Sequence, residues 1–125
     1  MDCPFCQLNS DRIIDESEYG LVIRDAYPIS KGHTLIVPKR HIQSFFDLES
    51  EERADLLDLV DKAKSNLNKE FTPDSYNIGI NDGPEAGQTI PHLHIHLIPR
   101  YRGDCDDPKG GVRWILPKKA DYWNK

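Results

Sequence analysis

The stretch Pro91-His92-Leu93-His94-Ile95-His96-Leu97-Ile98-Pro99 decides how the chain is read. Histidines and aliphatic residues alternate through it. In an extended strand, alternate side chains share one face. His92, His94 and His96 then point one way, and Leu93, Ile95 and Leu97 the other. Wound as a helix, the same histidines would scatter around the axis. The spacing therefore predicts a strand over residues 89–99, with hydrocarbon on one face and three imidazoles on the other.

Working outward, residues 76–80 (YNIGI) read as a strand and residues 81–88 (NDGPEAGQ) as a glycine-bearing loop that leads to the histidines. Further upstream, residues 20–24 (GLVIR) and 33–37 (HTLIV) are two short strands around a turn with Pro28, Ser30 and Gly32, a hairpin pattern. Residues 42–48 suggest a short helical turn. Ser50, followed by Glu51 and Glu52, looks like the N-cap of a long helix. Leu56, Leu57, Val60, Ala63, Leu67 and Phe71 recur at three- and four-residue steps and form its apolar stripe. Thr72-Pro73 ends it. After Arg100 the pattern fades into a loop. Trp114, Ile115, Tyr122 and Trp123 then mark a tail expected to pack on the body or on a second subunit. Hairpin-spaced strands with one long helix predict an α+β fold around an antiparallel sheet.

The chain has 125 residues, enough for one core, so residues 1–125 are read as a single domain. Its net charge of −5 argues against a general nucleic-acid coat. No wholly apolar run exceeds three residues, which argues against a bilayer span. Met1 is followed at once by Asp2-Cys3-Pro4-Phe5-Cys6 with no apolar run, so no export signal is expected and a cytoplasmic setting is. In that setting Cys3-x-x-Cys6 reads as a metal or redox pair, or as two free thiols, rather than a structural bridge. Cys105, between Asp104 and Asp106, reads as an unliganded surface thiol.

Three imidazoles on one face admit more than one chemistry. They can form a polar stripe toward solvent or a transition-metal cluster. They can also supply a nucleophile, since neutral imidazole forms covalent phosphoryl or nucleotidyl intermediates near pH 7. No His-Glu-x-x-His pattern supports the metal reading as a catalytic zinc site.

The run from Asn81 to Arg100 resembles the signature of the histidine triad (HIT) superfamily, and is particularly similar to its Fhit and diadenosine-polyphosphate hydrolase branch. Lys31 to His41 is similar to the family's upstream hairpin, and the resemblance extends over about residues 1–103. It implies a HIT-like fold with about five antiparallel strands, one long and one short helix, and a homodimer joined edge to edge. It implies a nucleotidyl hydrolase or transferase that cleaves at the α-phosphate of dinucleoside polyphosphates or related adenylyl compounds. His94 would be the nucleophile and His96 the acid or leaving-group contact. Gln88 and Thr89 would hydrogen-bond phosphate beside Gly87. Asp25 would accept ribose hydroxyls, Asn81 would lie near sugar or phosphate, and His33 would support the site. A Hint-type purine nucleoside phosphoramidase and a nucleotide-binding regulator with little turnover are the alternatives.

The resemblance also implies a structural zinc on Cys3, Cys6, His41 and His92, pinning an N-terminal segment of residues 1–8. No organic cofactor is expected, and magnesium would come with the substrate. Lys31, Lys39, Arg40, Arg100 and Arg102 are available to make the site locally positive despite the net charge. Residues 104–125, the loop and tail, lie beyond the resemblance.

Overall fold

A computed structural model describes residues 3–124. The first two residues of the expected zinc segment and the last residue of the tail lie outside them. Five strands form one antiparallel sheet: β1 (Ile13–Glu16), β2 (Gly20–Arg24), β3 (Thr34–Pro38), β4 (Ser75–Gly79) and β5 (Ile95–Arg100), in the order β1-β2-β3-β5-β4. A long helix, α1 (Ser50–Glu70), covers one face. A short helix, α2 (Pro117–Ala120), lies in the tail. No helix of the described residues is long and apolar enough to cross a membrane.

The α+β sheet architecture is as expected, and β2 occupies the predicted residues. β3 starts one residue late, which leaves His33 at the strand's mouth instead of inside its ladder. β1 carries Asp15 and Glu16 and lacks an apolar pattern, so it is found only through its pairing with β2. The helical turn expected at residues 42–48 shrinks to a single 3-10 turn, Phe45–Asp47.

Two details of α1 differ from expectation. Its cap is Glu49, not Ser50: the Glu49 backbone N–H donates to the Glu52 carboxylate at 2.9 Å, a reciprocal capping box. Arg40 grips the same carboxylate with two bonds of 3.0 and 2.8 Å, which holds it below its ordinary pKa even though Glu52 is buried. The buried stripe runs Leu56, Leu59, Val60, Ala63, Leu67, with Leu57 half exposed. Leu59 completes the i, i+3, i+4 pattern that a 3.6-residue period demands.

The histidine strand is also shorter than expected. β5 begins at Ile95, because the chain before it bonds elsewhere: His92 N–H donates to Ile90 O and Leu93 N–H to Ile42 O. The alternation survives without the ladder. Leu93, Ile95 and Leu97 are each at most 1% exposed in the core beneath α1. On the opposite face, a second cluster of Ile23, Leu35 and Val37 packs with Cys3 and Phe5, which brings the N-terminal segment onto the sheet.

The tail folds back on the body, as one of the two expected outcomes. Residues Gly111–Ile115 form a 3-10 turn beside β4, with Gly111 close against Asn77.

Candidate functional site

Two clusters of ligand-type side chains lie on the sheet face opposite α1. The first gathers Cys3, Cys6, His41 and His92, whose potential ligand atoms all lie within 4.8 Å of one another. His92 Nε2 faces the carbonyl of Pro38 at 2.8 Å. A carbonyl only accepts, so Nε2 carries the proton and Nδ1 presents a lone pair. That Nδ1 lies 3.4 Å from Cys3 Sγ, 3.5 Å from Cys6 Sγ and 3.2 Å from His41 Nδ1, and Cys6 Sγ is 3.2 Å from His41 Nδ1. Ordinary zinc–sulfur and zinc–nitrogen bonds at a tetrahedral angle put neighbouring ligand atoms about 3.3–3.8 Å apart. The cluster therefore has the donor set and nearly the edge lengths of a Cys₂His₂ zinc site. The Pro38 carbonyl supplies the outer hydrogen bond that such a histidine needs. Burial pushes the His92 pKa down, which also favours the neutral, ligating form.

The second cluster is Asp25, His33 and His96. Its residue types resemble the first, but its protons are arranged differently. The Ile29 backbone N–H donates to His33 Nδ1 at 3.2 Å, so the His33 proton sits on Nε2. Nε2 lies 3.0 Å from His96 Nδ1 and 3.4 Å from Asp25 Oδ2, and its single N–H is shared between them. His96 Nδ1 thus accepts, which leaves its own proton on Nε2. Burial, followed by the neighbouring His94 and His33, pushes the His96 pKa down to about 4 against the pull of Asp25. Burial lowers His33 as well. Both rings are neutral at pH 7. Metal binding here would require His33 to offer lone pairs from both nitrogens, so this cluster is a hydrogen-bond relay.

His94 stands between the two. Its Nδ1 donates to the backbone carbonyl of His92 at 2.9 Å, so Nε2 keeps a free lone pair. The ring is 8% exposed, with the His96 ring 5.1 Å away centroid to centroid. Phe5, set between the two cysteines, packs edge-on against His92 at 5.7 Å and against His94 at 5.1 Å. An aromatic residue inside a polar Cys-x-x-Cys segment is the sequence signal for this contact.

A cavity of about 820 Å³ opens beside the relay, in the size range of small-ligand sites. Asp25, His33, Asn81 and His96 all line it. His94, Gly87, Gln88 and Thr89 do not. The expected phosphate contact of Gln88 differs from its observed partners: Oε1 accepts from Gly83 N–H, and Nε2 donates to the carbonyls of Gln43 and Ile90. The amide braces the loop because three backbone groups there need partners. Thr89 is exposed, and Gly87 sits at φ +94°, the left-handed region that closes the turn Pro84–Ala86. The tail residues Val112, Trp114 and Ile115 also line the cavity, and no pattern in the sequence foretold it.

Residues 7–103 match the model of the HIT domain. An uncharacterised HIT-like protein of Methanocaldococcus jannaschii is 39% identical over 113 residues, 87% of each chain. A bis(5'-adenosyl)-triphosphatase of Saccharomyces cerevisiae is 34% identical over 118 residues, which is 94% of this chain but 54% of that one. This chain thus spans little more than half of that relative. The crystal structure of a Zn-bound histidine triad family protein from Mycobacterium smegmatis has a TM-score of 0.74 at 35% identity, over 82% of this chain and 78% of the other.

Proposed function

Because this chain belongs to the HIT domain family, we propose that it hydrolyses dinucleoside polyphosphates at the α-phosphate through a nucleotidyl-His94 intermediate. The observation that carries the reading is the His94 Nδ1 bond to the His92 carbonyl, which aims a lone pair on Nε2 away from the backbone. The relative named as a bis(5'-adenosyl)-triphosphatase supports the substrate class.

In the first step the Nε2 lone pair of His94 attacks phosphorus. The bond from phosphorus to the bridging oxygen breaks, and its electron pair leaves with the nucleoside polyphosphate. His96, held neutral, acts as an N–H donor through Nε2 and not as a strong acid. A hydrogen bond suffices, because a polyphosphate leaves as a stable anion. In the second step water attacks the nucleotidyl group, the phosphorus–nitrogen bond breaks, and its electron pair returns to Nε2. The water proton passes to solvent, and a nucleoside monophosphate departs.

Asp25 is the acceptor for ribose hydroxyls and Asn81 a polar contact near sugar or phosphate, both on the cavity wall. Thr89 and the backbone beside Gly87 contribute at the loop, and Gln88 acts by holding that loop. Cys3, Cys6, His41 and His92 hold a structural zinc, whose chemistry is to cross-link the N-terminal segment to the sheet. Magnesium enters only with the substrate. The proposal includes a homodimer formed at the outer edge of β4, which has no strand beside it and where Ile78 is 59% exposed.

The test is a timed incubation with diadenosine triphosphate, quenched in alkali and read by mass spectrometry. An adenylyl group on the peptide carrying His94, and a fall in turnover of at least roughly 10³-fold in His94→Ala, are expected. Turnover that survives His94→Ala overturns the proposal. Adenosine phosphoramidate run in parallel separates the phosphoramidase alternative by its kcat/KM.

A further inference from the structure

The Cys3–Cys6 segment is more open than a purely structural metal site needs to be. Cys3 is 5% exposed, in the apolar cluster on the sheet face opposite α1, whereas Cys6 reaches solvent. The Cys6 N–H donates to Cys3 O at 3.1 Å, so the two cysteines are the ends of one turn. Such a turn keeps its end Cα atoms within about 7 Å, which is the span of a disulfide. Both sulfurs belong to the group whose ligand atoms all lie within 4.8 Å of one another. Two thiols on one turn, one of them open to solvent, can join without any movement of the sheet.

Two links tie this turn to His94. The first runs through His92: its Nδ1 faces Cys3 Sγ at 3.4 Å and Cys6 Sγ at 3.5 Å, and its carbonyl accepts from His94 Nδ1 at 2.9 Å. The second is Phe5, inside the turn, whose ring meets the His94 ring edge-on at 5.1 Å. A thiolate is a strong ligand, and a disulfide sulfur is not. Joining the sulfurs therefore leaves His41 and His92 as two strong donors where a structural zinc site uses four. The metal is surrendered, and the N-terminal segment loses its cross-link to the sheet.

We propose that Cys3 and Cys6 are a hydroperoxide-sensitive modification site, whose closure to a disulfide releases the metal and slackens the two supports of His94. The inference rests on the zinc and His94 readings above and adds their regulation. The exposed Cys6 thiolate attacks one peroxide oxygen. The oxygen–oxygen bond breaks, and its electron pair leaves on the other oxygen, which takes a proton from solvent. The buried Cys3 thiolate then attacks the Cys6 sulfenic acid. The sulfur–sulfur bond forms, the sulfur–oxygen bond breaks, and hydroxide leaves and is protonated. Two electrons have passed from the thiols to the peroxide, and a dithiol reductant returns them. The metal pair and the redox pair that the Cys-x-x-Cys spacing allows are then two states of one site.

The test uses the zinc-loaded full chain carrying Cys105→Ser, in which Cys3 and Cys6 are the only thiols left. Hydrogen peroxide is added stepwise, zinc release is followed with a chromogenic chelator, and the thiols are mapped by non-reducing peptide mass spectrometry. One zinc per chain should be released as one Cys3–Cys6 disulfide forms, and dithiothreitol with added zinc should reverse both. Over the same course kcat for diadenosine triphosphate should fall roughly tenfold with KM little changed, the scale of loosening an outer hydrogen bond, and should recover on reduction. Thiols that survive a large excess of peroxide, oxidation of Cys6 to sulfinic acid without a disulfide, or a chain that takes up no zinc overturns the inference. So does complete zinc release with a His94-dependent kcat unchanged. A reversible disulfide with zinc release, in a chain whose turnover survives His94→Ala, upholds the modification site and overturns the catalytic reading instead.

Discussion

The Cys3–Cys6–His41–His92 cluster and the Asp25–His33–His96 cluster are built from similar residue types at similar distances, yet they differ in what they can hold. The difference lies in one backbone group per cluster. A carbonyl, Pro38 O, stands behind His92 and turns its lone pair inward. An N–H, from Ile29, stands behind His33 and turns its proton inward. Inward lone pairs with two thiols make a metal site, whereas an alternation of donors and acceptors makes a relay that sets the tautomer of His96. Ligand spacing alone does not identify a metal site; the partner of each outer nitrogen decides.

The sharpest way to break this comparison is metal content. One zinc per chain is expected in wild type and none in Cys6→Ser, with Tm lower by roughly 10 °C or more, the shift expected when a tight site is lost. His33→Ala should keep its zinc. Loss of zinc from His33→Ala with retention in Cys6→Ser would reverse the two assignments.

Next in size is the effect of the relay on turnover. His33→Ala removes the N–H that holds His96 Nδ1 as an acceptor, and kcat should fall roughly 10- to 100-fold, the usual cost of losing such an outer hydrogen bond. KM should change little, because His33 is only 4% exposed at the cavity wall. A larger effect on KM than on kcat would place His33 in binding.

Much of this was legible in the sequence, for identifiable reasons. The alternation around His94 survives even where the ladder does not, because burial of Leu93 and Ile95 alone fixes the side-chain directions. β1 was hidden because an edge strand is held by backbone pairing, which Asp15 and Glu16 make with Val22 and Leu21 despite their poor strand propensity. The Glu49 cap was hidden because its partner, Glu52, is itself held by Arg40, twelve residues away in the chain. The loop bonds of Gln88 were hidden for a similar reason: an amide serves whichever backbone groups its loop leaves unpaired, and only coordinates show them. The tail has no periodicity because a guanidinium, two indoles and a glycine shape it.

The pH dependence of stability comes next. His96 titrates at about 4 in the fold and near its ordinary value of 6.5 once unfolded. Between those values the unfolded chain binds the extra proton, so stability present above pH 6.5 is lost as pH falls toward 4. The loss should be about 1–3 kcal/mol after allowance for the ring's partial exposure. His33, also lowered by burial, adds to it with the same sign. In denaturant midpoints taken from pH 7.5 to 5, wild type should lose stability more steeply than His96→Asn as pH falls. Parallel curves would remove His96 as the source.

The smallest effect falls on the residue that joins the two regions. Phe5 lies on the zinc-site segment but touches the His94 ring, and at 8% exposure it is held on both sides. An edge contact of this kind contributes about 0.5–1.5 kcal/mol. Phe5→Leu keeps most of the apolar volume and loses the edge geometry, so kcat should fall about two- to tenfold with zinc content unchanged. If zinc and activity are lost together, Phe5 acts only by shaping the Cys3–Cys6 turn. If activity falls alone, the metal-site segment also steadies the proposed nucleophile, directly through this ring and not only through the His92 carbonyl.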